Sequence, residues 1–177
     1  MQALDALPRD SWRALFVGDG PLREEMAGWA TAYGDRVRIA TGVPHDEVGA
    51  HLNAMDVLCA PSLTTPRWRE QFGRMLIEAF ACGTPVIASD SGEIPYVVGD
   101  AGVIAPEGDA AAWAAAIADL IESPHRRADF ARRGIQRACD RFAWPCVARQ
   151  HLDFFEEVLS ARTESSSVCR PSLVGEA

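Results

Sequence analysis

Apolar and polar positions along the chain follow two alternating periods. Short apolar runs of strand length occupy Trp12–Gly18, Val37–Thr41, Asp56–Ala60, Pro85–Ser89 and Gly102–Ala105. Between them the spacing turns helical at Pro21–Tyr33, Asp46–Asn53 and Gly73–Cys82, while Glu93–Val98 is a short segment of either kind. Strands alternating with helices require right-handed crossovers, hence a parallel sheet with helices on both faces. The pattern predicts a doubly wound α/β fold.

Beyond the fifth run the strands stop. Trp113, Ile117, Leu120 and Ile121 recur on one face of Asp109–Glu122, the spacing of an amphipathic helix. Pro124–Arg141 and Pro145–Ala161 continue as helices, each with a proline where a first turn tolerates its missing N–H. From Arg162 the sequence is Ser-rich and aperiodic. One folded domain is therefore expected over 1–161 and a disordered tail over 162–177.

Composition narrows the class. The chain has 177 residues, 48% hydrophobic and 24% charged, enough for one domain with a real core. Its longest charge-free apolar stretch, Ala110–Ala118, is about half of what a membrane span needs. The start carries no basic-then-apolar leader pattern, so a cytoplasmic protein is the simplest reading, with peripheral membrane attachment left open. The net charge of −8, with both signs interleaved, argues against nucleic acid as a partner. The densest basic segment, His125–Arg137, reads as a solvated helix face, with an anion or acidic-membrane patch as the alternative. Five cysteines form no C-x-x-C pair, and Cys59 and Cys82 lie in apolar runs, where buried free thiols are expected.

In open parallel sheets ligands sit beyond the carboxyl ends of the strands, so the strand-to-helix loops are where chemistry is sought. Gly18-Asp19-Gly20-Pro21 follows an apolar run directly; it suits a tight turn, or a backbone that approaches a phosphate at a helix start. The long loop Pro61–Phe72 runs into Gly73 and an apolar helix, with Glu70 in the loop and Glu78 inside L-I-E-A-F-A. Arg74, four residues earlier, offers Glu78 an ion pair; the other reading gives the carboxylate to ligand hydroxyls. The amides of Phe72, Gly73 and Arg74 open the helix and could face a diphosphate. Ser89–Pro95, S-D-S-G-E-I-P, reads by itself as a simple turn.

The segment from Pro61, P-S-x(7)-E-Q-F-G-R-M-L-I-E-A-F-A-C-G-T-P-V-I-A-S-D-S-G-E-I-P, resembles the retaining GT-B glycosyltransferases of family 4, the glycosyl transferases group 1. The likeness takes in the G-D-G-P turn, G-V-I-A-P-E-G-D at Gly102–Asp109 and R-F-A-W at Arg141–Trp144, and covers roughly Ser11 to Leu159. It implies that Glu70 acts on the donor sugar as the catalytic-site carboxylate and that Glu78 holds the ribose hydroxyls. It gives the sugar and diphosphate to the amides of Phe72, Gly73 and Arg74. Gly18, Asp19 and Gly20 would line the phosphate end of the cleft, and backbone around Thr41–Val43 would meet the base. The donor is then a nucleotide-diphosphate sugar, with no cofactor and no metal.

The chain departs from the family in two places. Where members read G-G-x-P-E, it has Gly92-Glu93-Ile94-Pro95-Tyr96, so that loop receives no role. The strand ending in Gly-Arg, and the lysine after it, would lie upstream of Met1–Pro8, as would an amino-terminal domain that binds an acceptor glycan or lipid. With that first strand absent, Trp12–Gly18 and Asp56–Ala60 either close up and pair, or accept a strand from another chain, or fold poorly, so self-association is expected. The resulting function is a donor-binding glycosyltransferase domain, incomplete and inactive alone. A non-catalytic nucleotide-sugar-binding or interaction domain is the alternative, and a nucleotide-sugar epimerase of the same fold is a third reading.

Overall fold

The computed structural model describes residues 1–167. Strands form at β1 (Ala14–Val17), β2 (Val37–Ala40), β3 (Leu58–Ala60), β4 (Val86–Ser89) and β5 (Gly102–Ala105). Helices are α1 (Gln2–Asp5), α2 (Arg23–Ala30), α3 (Val48–Asn53), α4 (Arg74–Ala81), α5 (Ile94–Val98), α6 (Ala110–Glu122), α7 (Pro124–Arg137) and α8 (Trp144–Ser167). Each apolar run became a strand, and the undecided Glu93–Val98 segment became α5. Proline at its second position accepts the helix start without losing a bond.

All strand pairs are parallel, in two sheets: β1 with β2, and β3-β4-β5. The doubly wound order 3-2-1-4-5-6 is matched with β2, β1, β3, β4 and β5 in places 3, 2, 4, 5 and 6. Place 1 is held by no strand among the described residues. The sheet has not closed up: β1 pairs only with β2, and β3 only with β4.

The core lies around β4, whose four residues are all buried. Side chains alternate across a strand. Ile87 therefore meets Trp113 and Leu120 of α6 with Ala105. On the opposite face, Val86 approaches Val98 of α5 over Gly102. Asp109 caps α6 by accepting from the amides of Ala111 and Ala112 at 3.1 and 3.0 Å, worth about 1 kcal/mol. Around the first sheet, Asp5 of α1 accepts from the indole of Trp29 at 2.7 Å and from the Tyr33 hydroxyl. Trp12 stacks on Trp29 at 6.2 Å, and Arg9 lies over Tyr33 at 5.0 Å.

Residues Met1–Ala138 form one compact unit, and a second begins at Cys139. In the second unit α8 runs to Ser167, and residues 168–177 of the expected tail lie outside the described residues. Leu152, Phe155 and Leu159 of α8 are exposed. No helix among the described residues is long and apolar enough to cross a membrane.

Two sequence readings are settled here. The His125–Arg137 arginines are engaged locally: Arg126 pairs with Asp119, Arg132 and Arg133 with Asp129, and Arg137 donates to Val97 O at 2.7 Å. That is the solvated helix face. Cys59, on the face of β3 opposite Leu58 and Ala60, keeps solvent-exposed surface, yet desolvation by the surrounding protein pushes its thiol up to about 11; Cys82 is half-buried.

Gly134 lets α7 lie against α4, since a Cβ there would fall 2.6 Å from Phe80 Cδ1, and Phe80 is fully buried. Gly134→Val should therefore cost about 1–3 kcal/mol in a urea titration through overpacking. Adding Phe80→Leu should recover part of that loss. Additive losses in the double variant would show that the two do not clash.

Candidate functional site

The loop after β3 doubles back on itself. The Thr65 amide donates to Trp68 O at 2.8 Å and the Trp68 amide to Thr65 O at 3.3 Å, closing a turn with Pro66 at its preferred position. Its base is tied down from two other strands. The Glu107 carboxylate, beyond β5, accepts from the Thr64 amide at 2.5 Å and the Thr64 hydroxyl at 2.6 Å. The same hydroxyl lies 3.0 Å from that of Ser91, beyond β4, which is fully buried. Asp90 in turn accepts from the Glu107 amide at 2.8 Å. The hydrogen bonds from Thr64, side chain first and then backbone, hold the Glu107 carboxyl below its ordinary value of 4.5.

Glu70 ends this loop. Its carbonyl accepts from the Glu93 amide at 3.2 Å and sits where only Gly92 fits, since a Cβ there would lie 1.8 Å from the oxygen. The turn Ser89–Pro95 thus forms a wall of the site and supports Glu70, a role that its sequence did not suggest. The Glu70 carboxylate accepts from the amides of Gly73 at 3.0 Å and Phe72 at 3.3 Å, at the start of α4, where Gly73 takes φ +77°. Two amides that the family resemblance gives to a diphosphate are bonded to Glu70 itself.

Glu78 lies on the first turns of α4 and pairs with Arg74 at 3.5 Å. Its side chain is 28% exposed against 80% for Arg74, so it is sheltered but not sealed. In the first sheet, Gly18 donates to Ala40 O at 2.9 Å, which sets the Gly18–Gly20 turn beside Thr41–Val43. Asp19 accepts from the Gly20 amide at 2.9 Å and pairs with Arg23 at 3.5 Å, the turn-forming role of an Asp. Thr41 is exposed and Val43 half-buried.

An open pocket of about 560 Å³ is lined by residues 64–71 and Glu93. Glu70 belongs to it; Glu78, the Gly18–Gly20 turn and Thr41–Val43 do not line it. Sequence reasoning missed Glu107, Thr64 and Ser91. The signal was there in outline: each follows one of three successive strands.

The family model for glycosyl transferases group 1 matches residues 1–137. The chain belongs to the glycosyl transferases group 1 family. Its relatives include a phosphatidyl-myo-inositol mannosyltransferase of Mycobacterium leprae, 33% identical over 89% of this chain and 42% of that protein. Another is a D-inositol 3-phosphate glycosyltransferase of Salinispora tropica, 35% identical over 71% of this chain and 25% of that one. The chain spans less than half the length of these relatives. Among solved structures, the sucrose-phosphate synthase of Thermosynechococcus elongatus superposes with a TM-score of 0.68 at 30% identity, over 83% of this chain and 38% of that one. HepE of Anabaena, solved with UDP-glucose, gives 0.71 at 25% identity, over 88% and 43%. The doubly wound domain of this glycosyltransferase chain is thus the GT-B type.

The pH dependence of this anchor has a defined sign. Glu107 titrates lower folded than unfolded, so its contribution is full above its ordinary value and is lost as pH falls through the folded one. Urea midpoints from neutral pH down to about 3 should fall more steeply for the natural chain than for Glu107→Gln. The variant should also be cut faster by trypsin after Arg67. Equal acid slopes would remove the anchor from the account.

Proposed function

We propose that the chain is the donor-binding part of a retaining hexosyltransferase that uses a nucleotide-diphosphate sugar. The observation that carries this reading is the family match together with the setting of Glu70, held by the amides opening α4 and by the Glu93 amide of the loop after β4. The UDP-glucose complex of HepE, at a TM-score of 0.71, supports a donor of this kind.

In this reading the acceptor hydroxyl oxygen bonds to the anomeric carbon as that carbon's bond to the diphosphate breaks. The proton passes to the leaving diphosphate. Negative charge grows on the leaving group, and the amides opening α4 are suited to meet it. Glu70 releases those amides and turns to the sugar hydroxyls, an exchange of one set of charge-assisted bonds for another. Glu78, sheltered at 28% exposure, takes the ribose hydroxyls. The Gly18–Gly20 turn and Thr41–Val43 serve the phosphate end and the base. No metal is needed in this scheme.

The acceptor, a glycan or lipid, is bound outside these residues, in keeping with relatives more than twice as long. Each charge-assisted hydrogen bond from a cation to the diphosphate contributes roughly 1.5–3 kcal/mol, about one to two powers of ten in affinity, and the contacts proposed here for the diphosphate are main-chain amides. Calorimetry on the 177 residues should give UDP or GDP binding weaker than micromolar and no sugar transfer. Sub-micromolar binding or turnover would overturn that part. Glu78→Ala should lower the remaining affinity by about tenfold or more, and Arg74→Ala should not. If both variants bind like the natural chain, Glu78 is only an ion-pair partner.

Self-association is supported by the edges of β1 and β3 that have no strand neighbour among the described residues, together with the exposed apolar residues of α8. Light scattering should report a mass above the 19.2 kDa of one chain. A single stable species at that mass would remove this expectation.

A further inference from the structure

The turn that carries Glu70 presents two arginines. Arg67 and Arg69 line the 560 Å³ pocket; the Arg67 amide donates to the Thr65 hydroxyl at 3.4 Å, and among the described residues neither guanidinium makes a hydrogen bond or ion pair. Trp68 stands between them, also on the pocket wall and 50% exposed. The net charge of the chain is −8, so two cations left open at one place stand out against their surroundings. Of the carboxylates nearby, Glu107 is bonded to Thr64 and meets Arg69 only through its charge, Glu70 faces the amides of Phe72 and Gly73, and Glu93 shares the pocket wall.

The presentation is rigid where it needs to be. The Thr65–Trp68 bridge closes the turn, Thr64 ties its base to Glu107 and Ser91, and the stem of Arg69 passes over Gly92, its Cγ 3.2 Å from where a Cβ would be. A guanidinium pair recognises planar or tetrahedral oxyanions by forked hydrogen bonds. An exposed indole offers a flat apolar face to a sugar ring. The volume falls within that of small-molecule sites, roughly 300–1,000 Å³.

We propose that residues 64–70 form a recognition site for an acidic group, phosphate or carboxylate, on a sugar compound, with Arg67 and Arg69 as its cations and Trp68 as its stacking platform. The inference rests on the donor-domain reading only for setting a sugar beside Glu70. Charge recognition is a property of the turn itself. The acid belongs either to the sugar of the donor or to a phosphorylated acceptor.

Ligand-observed NMR titration of the 177-residue chain separates these sources. One arm compares UDP-glucuronate with UDP-glucose, and the other compares glucose 6-phosphate with glucose. The natural chain should prefer the acid in at least one arm by about tenfold or more, and the preference should shrink with added salt. Arg67→Gln with Arg69→Gln should abolish the preference and leave UDP binding unchanged. Arg67→Glu with Arg69→Glu should reverse it. The turn is exposed, so neither pair should move the melting midpoint.

Equal binding of acid and neutral partner in both arms would overturn the proposal. So would an equal loss of UDP-glucose and UDP in the glutamine pair, since the arginines would then serve the diphosphate. If the natural chain binds no nucleotide-sugar yet prefers glucose 6-phosphate, the donor-domain reading fails and the recognition site stands.

Discussion

Parallel pairing of β3, β4 and β5 is the constraint on which the site depends. Strands that run the same way end at the same edge, so the loops after residues 60, 89 and 105 are forced into contact there. Glu107, Ser91 and Thr64 meet through that edge and not through any local sequence relation. The crowding is close enough that position 92 must be glycine for the Glu70 carbonyl to pass. The buried strand β4 fixes the spacing of its two neighbours, and through them the depth at which the Thr64–Glu70 turn stands.

The groups of the candidate site are therefore positioned more by backbone than by each other. Glu70 is held at its carbonyl by the Glu93 amide and at its carboxylate by the start of α4. A carboxylate that accepts from main-chain amides is oriented at little conformational cost. Glu78, by contrast, has the exposed Arg74 as its one ion-pair partner among the described residues, and such a pair contributes less than about 1 kcal/mol. The two glutamates share a motif but differ in how firmly each is fixed.

Much of this was legible in the residues alone. The five apolar runs became the five strands because short β-branched runs bounded by turn formers have few other ways to be buried. The gap in strand order was also readable, since a doubly wound sheet allows few arrangements. Other features lay beyond local pattern. Cys59 sits in an apolar run yet keeps solvent-exposed surface, because burial depends on which face of β3 is covered. Thr64 and Glu107 are 43 positions apart, and only the pairing of β3 through β4 to β5 makes them partners. The Ser89–Pro95 turn looked ordinary because its contribution is an amide and a missing side chain, neither of which leaves a charged signature.

The separation of the two sheets has a dynamic consequence. Among the described residues no backbone ladder crosses from β1 to β3, and the β1-β2 sheet is coupled to the β3-β4-β5 sheet through side chains and helix contacts such as α1 on α6. Cooperative opening units follow contiguous ladders. The layer carrying the Gly18–Gly20 turn and Thr41–Val43 can thus exchange its amide protons without opening the layer that carries Glu70. The base-binding and sugar-binding ends of the proposed cleft would then breathe on separate timescales within one polypeptide.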